Sequence, residues 1–138
     1  MMQDEKGFTL LEILVVMSIL SMLAVLSGLQ MTGYLNSSKV KTAKLQLDQL
    51  QTALTVYQLD TGQYPQGDNA LRALLQNENA IDGWNGPYLS KEEALKDPWG
   101  APIRYEQDET GGYKLLSLGK DQKPGGEGDA ADLTRTGS

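Results

Sequence analysis

Oxygen donors are the chemistry this chain concentrates. From Ser117 to Leu133 it sets Asp121, Glu127, Asp129 and Asp132 among glycines. Carboxylates and backbone carbonyls on a flexible loop are what Ca²⁺ requires, roughly 6–8 oxygens at 2.3–2.6 Å in tolerant geometry, whereas Mg²⁺ prefers a stricter octahedron. Taken on charge alone, the stretch reads equally well as a calcium loop and as a solvated acidic tail. The sequence has neither His nor Cys. That removes a thiolate nucleophile, a Cys/His zinc site and a His general base, and leaves no nucleophile–base pair for an enzyme. Glu92, Glu93 and Asp97 read as solvated charge around Lys91 and Lys96 rather than as a paired-carboxylate site. One more acid stands apart. Glu12 opens a stretch with no charge until Lys39, and an ionisable group within a spanning helix costs about 2.5–3.5 kcal/mol on insertion scales, so it marks a function.

These residues need elements to hold them. At 138 residues the chain is one domain's worth, and 12 Lys and Arg against 18 Asp and Glu exclude a polybasic nucleic-acid binder. The charge is segregated. Ile13 to Leu29 is nearly continuous aliphatic sequence interrupted by Ser and Gly, whereas from Asp48 onward 15 acids face 8 bases. About 20 apolar residues at 1.5 Å each cross the hydrocarbon layer, so the segment suits a retained membrane helix. It is too long for a secretory signal core, its leader is not basic, and no small-x-small exit followed by a polar start stands near Gln30. A helical pattern then runs from Tyr34 to Leu59, with Val40, Ala43, Leu47, Leu50, Leu54 and Tyr57 on one face. One helix from about Thr9 to Leu59 would be about 75 Å long. Lys39, Lys41 and Lys44 follow the apolar run, and the positive-inside rule alone would turn them to the cytoplasm.

The junction ahead of the apolar run is the most specific feature. Lys6-Gly7-Phe8-Thr9-Leu10-Leu11-Glu12 resembles the class III signal of type IV pilins and pseudopilins. The resemblance implies cleavage after Gly7 by a prepilin peptidase, N-methylation of Phe8, and a buried assembly role for Glu12. Glu12 lies one helical turn from Phe8, whose freed α-amine has a reference pKa of about 7.7–8.0. The chain's own carboxylate can pair with that amine, a neighbouring subunit's amine in a staggered filament offers a use that explains burial, and the bland alternative is that Glu12 snorkels to the interface.

The remainder extends the likeness. Leu59 to Pro65 (LDTGQYP), the short helix-like GDNALRALL at Gly67 to Leu75, Trp84 to Leu89 (WNGPYL) and Asp97 to Pro102 (DPWGAP) resemble segments of the major pseudopilins of type II secretion systems. Trp84 and Trp99 read as loop anchors. Ile103 to Tyr105 and Tyr113 to Leu118 alternate as antiparallel strands around a Gly111-Gly112 turn. The resemblance implies an α+β, type IV pilin-like fold: a long N-terminal helix, half membrane and half amphipathic, on a small antiparallel sheet with a C-terminal calcium loop. The expected divisions are a leader at 1–7, a transmembrane and polymerisation helix at 8–31 and a periplasmic domain at 32–138. The resemblance also implies structural calcium, held by Asp121, Asp132 and the Leu118 carbonyl. Ala130 stands where the family has an acid, with Asp129 one position early and Glu127 a weaker candidate. Gln122 replaces the family's glycine after the first acid, and Leu29 replaces a common proline.

The expected function is that of the major subunit of a periplasmic pseudopilus helping to export folded proteins. The partners this implies are further copies of the chain, minor pseudopilins, inner-membrane assembly components, the prepilin peptidase and the membrane, with no nucleic acid. The expected location is the bacterial inner membrane, single-pass, with the domain in the periplasm. The alternatives are a type IV pilin for adhesion or motility, against which the missing disulfide loop argues, and a membrane-tethered binding module, against which the junction argues.

Overall fold

The computed structural model describes residues 7–138. Of the expected leader, residues 1–6 lie outside the described residues. Helix α1 spans Leu10–Thr61. Its start is encoded locally. Thr9 Oγ1 accepts the Glu12 amide at 3.2 Å, and the Thr9 carbonyl accepts the amides of Glu12 and Ile13 at 3.1 and 3.2 Å. Thr9 and Glu12 have the spacing of a capping box, in which the cap hydroxyl satisfies an amide that a helix start leaves unpaired. The helix stops where Gly62 takes φ 84° and donates its amide to the Gln58 carbonyl at 2.7 Å, a left-handed exit that glycine makes without strain. The described residues divide into one compact unit up to Asn36 and another at Ser37–Ser138.

In the first unit the large apolar side chains from Phe8 to Leu26 are exposed. Among the described residues α1 is the one helix long and apolar enough to cross a membrane, with mean hydropathy 2.5 over 18 residues. Ser18, Ser21 and Ser27 donate their hydroxyls to the carbonyls of Leu14, Met17 and Leu23 at 2.7–2.9 Å. These three polar groups therefore present no free donor to lipid. Ser27 and Gly28, which interrupt the apolar run, remain helical.

The second unit holds the core. Ala43, Leu47, Leu50, Leu54 and Tyr57 are buried along one face of α1, as the spacing predicts, while Val40 is only half-buried. Strands β1 (Arg104–Gln107), β2 (Tyr113–Ser117) and β3 (Leu133–Gly137) form an antiparallel sheet in the order β1-β2-β3. Tyr105 faces Leu115, and Leu115 faces Arg135. The β1–β2 turn is the expected one, with Asp108 Oδ1 accepting the amides of Thr110 and Gly112 at 2.9 and 2.8 Å. Strand β3 was not foreseen. It is fastened to α1 by Gln51 Nε2 donating to the Thr136 carbonyl at 2.9 Å and by Arg135 Nε on Asp48 Oδ1 at 2.6 Å. Leu71, Leu74, Ile103, Tyr113 and Leu115 complete the core against α1. The segment Ala70–Leu74 is a 3-10 turn rather than an α-helix.

The Trp84 loop behaves as an anchor. Trp84 Nε1 donates to the Ala73 carbonyl at 2.7 Å, and Tyr88 donates its hydroxyl to Asp60 Oδ2 at 2.8 Å. A Cβ on Gly86 would stand 2.6 Å from the Trp84 ring and 2.9 Å from Tyr88, so only glycine lets the two rings meet edge to face at 5.6 Å. Tyr105 stacks on Tyr113 at 5.8 Å and donates its hydroxyl to the Pro65 carbonyl at 2.9 Å. Burial, then the neighbouring Tyr113, pushes the Tyr105 phenol well above its ordinary value. The unfolded chain ionises near pH 10 while the folded one stays neutral, so this stability is full below that pH and falls as pH rises past it. Tyr105→Phe should cost about 1 kcal/mol at pH 7 and flatten the alkaline loss. An alkaline denaturation profile as steep as the native chain's would contradict this.

Candidate functional site

Two places carry chemistry. At the N-terminal junction, Gly7 and Phe8 precede the cap residue Thr9, and Glu12 occupies the third helical position. Phe8, Glu12, Ile13, Val16, Met17 and Leu20 line a shallow apolar groove of about 290 Å³ along this end of α1. A Cβ on Gly7 would meet nothing within 4 Å. Packing within the fold therefore gives no reason for glycine at this position. The capping role of Thr9 was missed from sequence, although the Thr-x-x-Glu spacing carried the signal.

The tail loop lies between β2 and β3. Its donors are oxygens throughout. Asp121 Oδ1 accepts the Lys123 amide at 3.1 Å, and Asp132 Oδ2 accepts the Gly125 amide at 3.0 Å. Asp132 Oδ1 is buried without a hydrogen-bond partner. A buried carboxylate oxygen lacking a donor is costly, so this is the observation that fits a cation. Gly119, at φ 69°, packs its Cα against the Ala130 and Ala131 carbonyls, where a Cβ would stand 2.8 Å from the Ala131 oxygen. Main-chain oxygens thus crowd the crossing of the two loop segments, next to buried Leu118. Asp129 is differently engaged. Its Oδ2 meets Lys120 Nζ at 3.3 Å, and its carbonyl accepts the Lys120 amide at 3.1 Å. Among the described residues no three acids converge closely enough to hold a metal ion between them. The orphaned Asp132 oxygen beside main-chain carbonyls fits a divalent cation, and no carboxylate cage surrounds it among the described residues.

Asp97 corrects a sequence expectation. It is not solvated charge but 5% exposed. Its Oδ1 accepts the amides of Trp99 and Ala101 at 3.1 and 2.9 Å, and its Oδ2 accepts Ser117 Oγ at 2.9 Å. Gln122 Nε2 reaches the same oxygen at 3.3 Å. The acid joins the DPWGAP turn to β2 and to the tail loop. Trp99 is half-buried outside the main core.

A capped apolar helix with an acid in its first turn, long and apolar enough to cross a membrane and continuing into a helix-on-sheet domain, defines a pilin-like subunit. The profile for "Prokaryotic N-terminal methylation motif" matches residues 2–28, and that for "Type II secretion system (T2SS), protein G" matches residues 30–136. The type II secretion system core protein G of Pseudomonas aeruginosa is 38% identical over 136 residues, covering 95% of this chain and 94% of that protein. The protein of the same name from Xanthomonas campestris is 35% identical over 130 residues, covering 94% and 88%. The crystal structure of the major pseudopilin of enterohaemorrhagic Escherichia coli shares the fold, with TM-score 0.53 at 22% identity over 75% of this chain and 90% of that one. The chain belongs to the type II secretion system protein G family rather than to the pilins of an adhesion or motility pilus.

Proposed function

We propose that this chain is inserted in the inner membrane, cleaved after Gly7, N-methylated on Phe8 and polymerised into a periplasmic pseudopilus that helps move folded proteins outward. Its work is structural, with no catalytic step of its own. Its partners are further copies of itself, minor pseudopilins, the inner-membrane assembly components and the prepilin peptidase. The observation that carries this reading is the junction: a glycine with open space around it, then Phe8, then the Thr9 cap and Glu12 at the head of an uncharged, fully exposed apolar helix. The positive-inside preference of Lys39, Lys41 and Lys44 opposes the periplasmic placement, and the likeness of the Lys6-to-Glu12 junction to the class III signal supports it. The intact mass of membrane-extracted protein tests the processing. It should correspond to a chain beginning at Phe8 plus one methyl group, and a stable N-terminus at Met1 or Met2 in a host with active prepilin peptidase would refute it.

The same reading includes a structural calcium ion in the tail loop. Asp121, Asp132 and main-chain oxygens including that of Leu118 would hold it, and the unpartnered Asp132 Oδ1 supports this. The ion supplies positive charge to a cluster of acids and closes a loop that offers few apolar side chains. Binding to the folded state alone adds roughly 2.7 kcal/mol when calcium stands 100-fold above Kd, a shift of several degrees in Tm for a domain of this size. Chelation with EGTA should remove that shift. Asp132→Ala and Asp121→Ala should abolish most of it, Asp129→Ala less because Lys120 already engages that carboxylate, and Glu92→Ala none. An EGTA-treated, ion-free native protein melting at the calcium-loaded temperature would refute the calcium site.

A further inference from the structure

Gln122 stands at φ 55°, a left-handed conformation that glycine adopts freely and a side-chain-bearing residue adopts at a cost. The chain carries a long side chain here, and the structure uses it. Gln122 Nε2 donates to the Gly119 carbonyl and, at 3.3 Å, to Asp97 Oδ2. Asp97 is a fixed point rather than a surface acceptor, because the Trp99 and Ala101 amides and the Ser117 hydroxyl hold its two oxygens. Ser117 is the last residue of β2 and is 1% exposed. The carboxamide therefore closes the first turn of the tail loop onto the sheet through protein atoms alone.

We propose that Gln122 is an ion-independent fastening that holds the tail loop in its folded conformation when no calcium is bound; only the calcium arm of the test rests on the reading above. Gly119, Gly125, Gly126 and Gly128 make the loop entropically expensive to order. A binding site populated in only a fraction of molecules has its affinity reduced by that fraction. A loop already tied to Asp97 meets an incoming ion in the right shape, so the fastening both orders the free loop and tightens its calcium binding. This also accounts for a non-glycine residue at a left-handed position: the two hydrogen bonds outweigh the backbone cost.

The test uses the full chain in detergent micelles, with Gln122→Gly and Gln122→Asn. The glycine relieves the backbone strain while deleting the carboxamide. Asparagine tolerates the left-handed conformation but is one methylene too short to bridge. Glycine also adds backbone entropy to the open loop, so it is loosening common to both variants that is assigned to the lost bridge. Hydrogen exchange is followed at the Lys123 and Gly125 amides, which bond to Asp121 and Asp132, in EGTA and along a calcium titration. In EGTA these amides should exchange at least tenfold more slowly in the native chain than in both variants. Saturating calcium should bring all three proteins to equal protection, the variants needing several-fold more calcium to reach it. Equal exchange of the native chain and the variants in EGTA overturns the fastening. If either variant fails to fold, the native chain in EGTA decides alone, and exchange of both amides at unstructured-peptide rates overturns it. If calcium moves none of the three proteins while the difference in EGTA persists, the fastening stands and the calcium site falls.

Discussion

Glu12→Leu should insert and be cleaved like the native chain, yet form at least a hundredfold less filament. Insertion survives because leucine removes an acid that costs about 2.5–3.5 kcal/mol within a spanning helix. The local helix start survives because Thr9 Oγ1 accepts the backbone amide of residue 12, not its side chain. Assembly is another matter. In the polymer proposed above, the freed α-amine at Phe8 of one subunit would enter the apolar layer near another subunit's Glu12. The groove that Phe8 and Glu12 share with Ile13, Val16, Met17 and Leu20 is almost entirely apolar, so within it Glu12 has only α-amines, its own or a neighbour's, to pair with. Breaking a buried ion pair by removing one member costs about 3–5 kcal/mol, and each 1.4 kcal/mol is about tenfold in an association constant. Glu12→Gln, which keeps a hydrogen-bond acceptor without the charge, should fall between the two. Filament recovered from sheared cells and normalised to membrane-inserted subunit measures the effect. Native yields from Glu12→Leu would show that Glu12 does not neutralise a neighbour and sits instead at the lipid interface.

What could be read in the sequence was what is local in the chain. The junction, the apolar run and the buried face of α1 from Ala43 to Tyr57 each declare themselves within a few residues, because helix spacing and capping act over one or two turns. The β1–β2 hairpin was legible for the same reason, since Asp108 organises its own turn. Strand β3 was not, because what makes Leu133–Gly137 a strand lies far away: its register on β2 and its ties to Gln51 and Asp48 on α1. Charge pattern misled in the same way. Asp97 sits beside Lys96 and near Glu92 and Glu93 in sequence, which suggests a solvated cluster, yet its partners include Ser117 on β2 and Gln122 in the tail loop. In that loop the acids were visible but their engagement was not. Lys120 takes up Asp129, and the oxygen left without a donor belongs to Asp132.

Because Asp97 serves three segments at once, Asp97→Ala should be among the most destabilising single changes in the second unit, at about 3–5 kcal/mol. All four of its donors are neutral groups: two main-chain amides, the Ser117 hydroxyl and the Gln122 carboxamide. Alanine leaves the Trp99 and Ala101 amides and the 1% exposed Ser117 hydroxyl facing an apolar methyl. Each buried donor stripped of its partner costs about 1–3 kcal/mol, and Gln122 loses its hold on the sheet besides. The conservative change separates geometry from charge. Asp97→Asn keeps the volume, its carbonyl oxygen still accepts the Trp99 and Ala101 amides, and Ser117 can turn its hydroxyl to accept from the new amide. The new amide meets the Gln122 amide donor to donor, however, so Asn should cost about 1–2 kcal/mol rather than nothing. Glu93→Ala, an exposed acid four residues earlier, should stay within about 0.5 kcal/mol. The effect is also directional. Exchange protection should fall at the DPWGAP turn and in the tail loop, the two segments Asp97 joins, while the Leu47-to-Tyr57 face of α1 keeps its order relative to them. Chemical denaturation of the Ser37–Ser138 unit, which contains the whole buried core, measures the three variants side by side. Equal stability of Asp97→Ala and Glu93→Ala would show that the carboxylate is a passenger in the fold and not the joint between turn, sheet and loop.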